Sequence, residues 1–257
     1  MRNSRRVVIL AFATAMVFAG CSGDSKSSLR PDQAGKLKPM TKPSISNAGP
    51  ITGPVRYLAL GDSTGAGVGA KNGGYVARLF RKIVQHQQES RLTNRCFSGA
   101  TTSDVLNDQM DQIKELAPNL VTVGIGINDI GHGVSVETFG QNYDQILSRL
   151  REQTSAVIVV TNIPEISSAP RIPEVMRSQY QQEILRYNQK LEEIAALHGV
   201  IVFDVYAITR EELPNHPEYF SADGFHPSDL GYELWAESMW PTIARVVGAT
   251  AGAAIQD

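Results

Sequence analysis

The 257-residue chain is poor in cysteine, holding only Cys21 and Cys96, and its formal net charge is only −2. Two cysteines exclude a small disulfide scaffold and a zinc site built from several thiolates. The near-neutral charge gives no reason to expect nucleic acid or an anionic membrane surface as a partner. The N-terminal apolar run, Val7–Phe18, is too short to cross a bilayer as a helix, and there is no internal repeat. These absences leave one globular domain of ordinary size with additional terminal segments.

The first 21 residues have the pattern of an export signal. Three arginines stand within the first six residues, the apolar segment Val7–Phe18 follows, and Ala19-Gly20-Cys21 ends the pattern. A basic start, a short apolar stretch and small residues before a cleavage point predict a signal peptide over residues 1–20. The ending resembles the lipobox of bacterial lipoproteins, which implies cleavage before Cys21 and lipidation of its sulfur. An ordinary cleaved signal with an incidental cysteine is the alternative.

The rest of the chain divides into three parts by composition. Residues 21–54 are rich in Ser, Lys, Pro and Gly without apolar periodicity, which predicts a disordered tether starting at lipidated Cys21. Residues 55–247 form the folded domain, and residues 248–257 form a flexible tail. We therefore expect an extracytoplasmic monomer, anchored by lipid to a bacterial membrane on its periplasmic or outer-membrane side.

Strand-like and helical patterns alternate along the folded domain. Strands are predicted at Val55–Leu60, Leu92–Phe97, Leu120–Ile125, Ala156–Thr161 and Val200–Phe203. Helices are predicted at Tyr75–Gln87, Asp104–Leu116, Val136–Gln153, Val175–His198 and Leu230–Val247. This order predicts an α/β fold, with a parallel sheet covered by helices on both faces. Cys96, in the second predicted strand, is expected to be a small buried apolar residue.

Small and polar residues follow each predicted strand. The segments concerned are Gly61-Asp62-Ser63, Ser98–Ser103, Gly126–Asp129, Asn162-Ile163-Pro164 and, after a longer loop, Asp223–Pro227. In an open parallel sheet, ligands bind beyond the carboxyl ends of the strands. We therefore expect these segments to meet at one edge and form a site.

The residue types in these segments suit acyl transfer. Ser63 needs a base to become a nucleophile, and a short turn can bring Asp223 to Nδ1 of His226, leaving Nε2 to face Ser63. The backbone N–H groups of Ser63 and Gly99 and the Asn128 amide could stabilise the negative charge of the intermediate. Each residue also has a plainer interpretation: Ser63 as a helix N-cap, Asp223 and Gly99 in turns, Asn128 in an Asx-turn.

Four of these segments, in this order, resemble the signature blocks of the SGNH (GDSL) hydrolases. They are Gly61-Asp62-Ser63, Gly99, Gly126-Ile127-Asn128-Asp129 and Asp223-x-x-His226-Pro227. The resemblance implies a flavodoxin-like three-layer α/β/α sandwich with five parallel strands. It also implies Ser63 as nucleophile, His226 as base, Asp223 as the orienting acid, and Ser63, Gly99 and Asn128 as the oxyanion hole. The G-x-S-x-G reading of residues 61–65 as an α/β-hydrolase elbow is disfavoured, because the serine follows the first strand.

The functional expectation is a serine esterase that works through an acyl-enzyme without metal or cofactor. Its substrate would be a lysophospholipid, a fatty-acyl ester or a thioester. An O-acetylesterase acting on acetylated polysaccharide is the alternative, and a catalytically silent surface-binding lipoprotein is a remoter one. Pro164–Tyr180 follows the fourth strand, where an acyl pocket could form, and its apolar residues could equally pack a loop.

Overall fold

A computed structural model of the protein describes residues 49–249, which contain a single five-stranded parallel sheet. The strands are β1 Arg56–Gly61, β2 Arg91–Asn94, β3 Leu120–Gly124, β4 Val157–Thr161 and β5 Ile201–Phe203. Their order across the sheet is β2-β1-β3-β4-β5, and every neighbouring pair is parallel. This is the doubly wound, flavodoxin-like order, so the predicted fold class is confirmed.

Helices cover both faces of the sheet. They are α1 Ser63–Ala66, α2 Tyr75–His86, α3 Thr102–Asp104, a π-helix Val105–Gln109, α4 Ile113–Leu116, α5 Ile127–Gly131, α6 Val136–Gln153, α7 Glu174–His198, α8 Val205–Glu212, a 3₁₀ turn Pro217–Tyr219 and α9 Asp229–Val246. One buried apolar cluster joins α6 and α7 to one face, and a second joins α2 and α9 to the other.

The sheet lies between the two helical layers because its strands are apolar on both sides. All five residues of β3 are buried, as are five of the six residues of β1, as expected for parallel strands between two helical layers. Within the helical layer formed by α2 and α9, buried Arg78 of α2 lies 2.6 Å from Asp229 at the start of α9 and also pairs with Glu233. Since α9 follows the predicted Asp223/His226 loop, this pairing helps to fix the position of that loop.

The helix predicted over Asp104–Leu116 is not continuous in the structure, so this prediction is wrong. The segment instead consists of α3, the π-helix and α4, and both Gln112 and Ala117 adopt left-handed backbone conformations that interrupt regular helix. The Gln109 side chain, at the end of the π-helix, accepts the Gly61 N–H at 2.8 Å and donates to Gly61 O at 2.8 Å. This tertiary contact, which apolar periodicity cannot reveal, accompanies the break.

The second strand is shorter than predicted, and the segment before β1 contacts the folded domain. β2 ends at Asn94, so Cys96 lies just past the strand and is only partly buried. Before β1, Ile51 donates its backbone N–H to Val246 O at 2.8 Å and packs against the second cluster. The predicted signal peptide, Cys21 and most of the tether and tail lie outside the described residues. Within residues 49–249, every helix is too short or too polar to span a bilayer.

Candidate active site

The first component of the site is the tight junction between β1 and α1. Gly61 approaches β3 so closely that a Cβ at this position would collide with Gly124 O. Asp62 is the N-cap of α1, accepting the Thr64 N–H at 2.9 Å and the Thr64 hydroxyl at 2.7 Å. The cap is thus supplied by Asp62, and Ser63 is the first residue of the helix. Its hydroxyl is therefore available for other contacts.

The second component is the loop before α9, which carries Asp223 and His226. His226 Nε2 lies 3.0 Å from Ser63 Oγ, and His226 Nδ1 lies 2.6 Å from Asp223 Oδ2. When Nδ1 carries the proton and donates to Asp223, Nε2 is free to accept the Ser63 proton. The structure therefore brings the three predicted catalytic residues into one hydrogen-bonded chain, the arrangement that activates a serine.

The loop between α1 and α2 holds His226 beside Ser63. A Cβ added to Gly69 would lie only 2.9 Å from His226 Cβ and 2.7 Å from Pro227 O, so the two loops are in close contact. The Asp229 carboxylate accepts the backbone N–H groups of Lys71 and Asn72 at 3.1 and 3.0 Å. The loop between α1 and α2 is therefore hydrogen-bonded to the start of α9, directly after the His226 loop, which restricts the position of the imidazole.

Asp223 is held in its charged form. Burial disfavours its charge, but this is outweighed by hydrogen bonds from the His226 side chain, the backbone N–H groups of His226 and Phe225, and the Ser221 hydroxyl. The pKa of Asp223 is consequently well below its usual range. A charged Asp223 can stabilise the imidazolium that forms when His226 takes a proton.

Three hydrogen-bond donors face the space beside Ser63. Within residues 49–249, neither the Ser63 N–H nor the Gly99 N–H has a hydrogen-bond acceptor. The Asn128 amide nitrogen donates one hydrogen to Ala100 O at 2.8 Å, which leaves its second hydrogen available. Ser63, Gly99 and Asn128 line the same cavity, so the predicted oxyanion donors converge there. Gly99 has a φ of +83°, a conformation that favours glycine.

Two cavities adjoin Ser63, and Phe225 and His226 line both of them. The open cavity, of about 340 Å³, is lined by the oxyanion donors together with polar and apolar side chains. The second cavity, of about 50 Å³, is less open to solvent than the first and is called the closed cavity for that reason; its lining is almost entirely apolar. Its principal side chains are Ile127, Ile166, Ile208, Leu213, Leu234 and Trp235. The site therefore offers one small apolar space and one larger space of mixed character.

Pro164–Tyr180 contributes to both cavities. Pro164 and Ile166 line the closed cavity, whereas Ile172, Met176 and Tyr180 line the open one. Val175, another apolar residue of this segment, lines neither cavity and is 92% exposed. The segment is thus a wall shared by the two spaces.

Burial dominates the electrostatics of Asp62. This carboxyl group is almost completely buried, and burial raises its pKa to about 6, although the Thr64 hydrogen bonds and the nearby His226 act in the opposite direction. Because the folded-state pKa lies above the unfolded one, the folded state binds more protons between about pH 4 and pH 6. The contribution of Asp62 to stability therefore becomes less favourable as the pH rises through this window.

Replacing Asp62 by asparagine should reduce the loss of stability between pH 4 and pH 7. Asparagine retains an oxygen that can accept the Thr64 hydrogen bonds and removes the buried charge. At about 1.4 kcal/mol per pKa unit, the shift to about 6 corresponds to at most about 3 kcal/mol at pH 7. Urea unfolding of both proteins at four pH values measures the difference. Parallel stability profiles for the two proteins would contradict the assignment.

Two buried side chains near the site have no place in the roles predicted from sequence. Gln109 binds Gly61, directly before the Asp62-Ser63 pair, through two hydrogen bonds. Asp129 lies in the predicted Gly126–Asp129 block, yet its partner, Thr102, is 27 residues away. The position of Asp129 in that block was the only feature of the sequence that could have indicated a role for it at the site. No cluster of three or more potential metal ligands occurs among residues 49–249.

A known protein family matches the part of the chain that contains the candidate site. The profile of the "GDSL-like Lipase/Acylhydrolase family" matches residues 59–234, which include Ser63 and His226. The spore germination lipase LipC of Bacillus licheniformis is 27% identical over 216 residues, covering 72% of this chain and 94% of that protein. The family profile alone spans most of residues 49–249.

Solved structures give a similar result. A lipase/acylhydrolase from Enterococcus faecalis is 26% identical, with a TM-score of 0.58, over 73% of this chain and 94% of that one. LAE5, an enzyme from the metagenome of Lake Arreo, has a TM-score of 0.63 at 21% identity, over 76% of this chain and 98% of its own. The second likeness concerns the fold alone.

Proposed function

Since the chain belongs to the GDSL-like lipase/acylhydrolase family, we propose that it is a serine esterase that cleaves carboxylic esters through a covalent acyl-enzyme. The observation that carries the proposal is the chain of contacts from Ser63 Oγ to His226 Nε2 at 3.0 Å and from His226 Nδ1 to Asp223 at 2.6 Å. The esterases and lipases among its relatives support the same activity.

The geometry supports a two-step reaction. Ser63 Oγ attacks the ester carbonyl carbon while His226 Nε2 takes its proton, and the Ser63, Gly99 and Asn128 donors stabilise the negative carbonyl oxygen. The intermediate then breaks its bond to the alcohol oxygen, which receives the proton from His226. A water molecule, activated by His226, attacks the acyl-enzyme in the same way and releases the carboxylic acid and free Ser63.

We assign the acyl group to the closed cavity and the alcohol to the open one. The closed cavity is apolar and touches Ser63, which suits a hydrocarbon chain that stays attached until hydrolysis. The open cavity provides the exit that a released alcohol needs. With this assignment, lysophospholipids, fatty-acyl esters and thioesters are the proposed substrate class.

The size of the closed cavity favours a second candidate, a carbohydrate O-acetylesterase. Its volume of about 50 Å³ is far below the roughly 300–1,000 Å³ of pockets that bind drug-sized ligands. Such a space admits an acetyl group without rearrangement, whereas a long chain requires the lining side chains to move. The open cavity, of about 340 Å³, could then receive a sugar residue.

A comparison of p-nitrophenyl acetate, butyrate and octanoate with an acetylated xylo-oligosaccharide tests both candidates. In the Leu234→Ala variant, we expect the octanoate-to-acetate ratio of kcat/KM to rise about tenfold, because removal of a lining side chain enlarges the closed cavity. Leu230→Ala is the matched control, since Leu230 lies on the same helix and is 57% exposed. An unchanged ratio in Leu234→Ala would place the acyl chain elsewhere. Preference of the unaltered enzyme for acetate and the acetylated sugar would favour the second candidate.

We also propose that the protein is exported and anchored through lipidated Cys21 to a bacterial membrane. The basic start, the short apolar run and the Ala19-Gly20-Cys21 ending support this localisation. Metabolic labelling with a fatty-acid analogue should mark the full chain but leave the Cys21→Ser variant unlabelled. Equal labelling of the two proteins, or no labelling of either, would contradict lipidation at Cys21.

A further inference from the structure

A buried carboxylate directly follows the oxyanion donor Asn128. The Asp129 side chain is fully buried, and both of its oxygens accept hydrogen bonds from one residue, Thr102. The Thr102 hydroxyl donates to Oδ1 at 2.6 Å, and the Thr102 N–H donates to Oδ2 at 3.0 Å. We call this pair of contacts the Asp129–Thr102 bridge.

The direction of the hydroxyl bond is fixed by a third residue. The Asn142 side-chain amide, on α6, donates to Thr102 Oγ1 at 3.0 Å. Because a hydroxyl has only one hydrogen, Thr102 Oγ1 accepts from Asn142 and directs its own hydrogen to Asp129. The carboxylate is therefore tied to α6 as well as to the start of α3.

The bridge connects the two segments that carry two of the oxyanion donors. Thr102 lies three residues after Gly99, and Asp129 is adjacent to Asn128. A second bond crosses the same gap, from the Asn128 amide nitrogen to Ala100 O at 2.8 Å. These bonds together restrict both the separation of the Gly99 N–H and the Asn128 amide and the rotation of that amide.

Burying a carboxylate has a substantial free-energy cost, which other interactions in the folded state must offset. Burial raises the pKa of Asp129, and the Thr102 hydrogen bonds oppose that effect. No hydrogen bond within residues 49–249 links Asp129 to Ser63, His226 or Asp223. The contacts of Asp129 can therefore act on the positions of the Gly99 N–H and the Asn128 amide. Charge-assisted hydrogen bonds in a low-dielectric interior are short and strongly directional, so they hold the groups that they join in place.

We propose that Asp129 is a positioning residue which, through Thr102, holds the Gly99 N–H and the Asn128 amide at the spacing required by the tetrahedral oxyanion. This proposal rests on the proposed esterase function. Loss of a whole oxyanion donor lowers kcat by about 10²–10³-fold. Displacement of two retained donors should have a smaller effect, about 10–100-fold, and should act on kcat because the donors matter most in the transition state.

The test measures kcat and KM for one p-nitrophenyl ester in Asp129→Asn and Thr102→Val. We expect kcat to fall about 10–100-fold with KM changed less than about threefold, and Thr102→Ser, which keeps the hydroxyl, to stay near the unaltered enzyme. Thr122→Val is the matched control: Thr122 is also fully buried, and its hydroxyl lies 2.8 Å from that of Tyr57. Thr122→Val should lose about as much free energy of unfolding as Thr102→Val and keep the kcat of the unaltered enzyme.

A double-mutant cycle separates positioning from general destabilisation. In an Asn128→Ala background, Thr102→Val should lower kcat by clearly less than in the unaltered protein, since one of the donors it positions is absent. Independent, fully multiplicative losses would overturn the proposal, as would a normal kcat in folded Thr102→Val or an equal loss in Thr122→Val.

Fluorophosphonate labelling distinguishes failure of the bridge from failure of the proposed function. If the unaltered protein labels at Ser63 and turns over ester while the bridge variants match it, only the positioning role is wrong. If the unaltered protein neither labels nor hydrolyses any ester of the panel, the esterase function and the inference that rests on it are both wrong.

Discussion

Replacing Ser63 by alanine is expected to lower kcat for ester hydrolysis by at least about 10⁴-fold, because the change removes the hydroxyl that His226 is placed to activate. The side chain bonds only to His226 in the described structure, at 3.0 Å. The helix cap is supplied by Asp62, so the variant should fold. Steady-state kinetics on p-nitrophenyl acetate and butyrate, with unfolding curves for both proteins, measure the two effects.

The control for this prediction is another buried serine. The Ser90 hydroxyl accepts the Val55 N–H at 2.9 Å at the start of the sheet, away from the candidate site. Ser90→Ala should lose about 1 kcal/mol of stability and keep its kcat. The unaltered protein and Ser90→Ala should both label with a fluorophosphonate, whereas Ser63→Ala should not. Substantial turnover by folded Ser63→Ala would refute the proposed acyl-enzyme.

The sequence was sufficient to predict the sheet because its strands are buried on both faces. The apolar runs at β1, β3 and β4 stand out from their surroundings, and each end of these three strands lies within one residue of its predicted limit. Strand ends in a parallel sheet share one edge. The meeting of Ser63 with the Asp223/His226 loop, some 160 residues away, therefore follows from topology.

The features that sequence did not predict depend on contacts between distant segments. The break at the π-helix coincides with the Gln109 bonds to Gly61, which no local pattern shows. The short helices α1, α5 and α8 have too few turns for a clear 3.6-residue period. The closed cavity combines side chains such as Ile127, Ile166 and Trp235 from three separate segments, so its volume exists only in the folded chain.

The largest remaining effect is expected for Asp223→Asn, because this change should reverse the hydrogen-bonding pattern of His226. Asp223 Oδ1 accepts three bonds, from the Ser221 hydroxyl and from the N–H groups of Phe225 and His226. In asparagine, the amide oxygen must occupy this position, which turns the NH₂ group toward His226 Nδ1. The imidazole can then keep a neutral hydrogen bond there only with Nδ1 as acceptor and the proton on Nε2.

That tautomer cannot take the proton from Ser63, and kcat should fall by about 10³–10⁴-fold with little change in KM. The loop should keep its conformation, since the Oδ1 bonds are retained. Ser221→Ala is the matched variant: it removes one of the three Oδ1 bonds and leaves the Nδ1 contact, so its kcat should fall by less than about tenfold. Equal losses in the two variants would mean that Asp223 acts by holding the loop. A much larger loss in Asp223→Asn would assign the effect to the orientation and charge stabilisation of the imidazole.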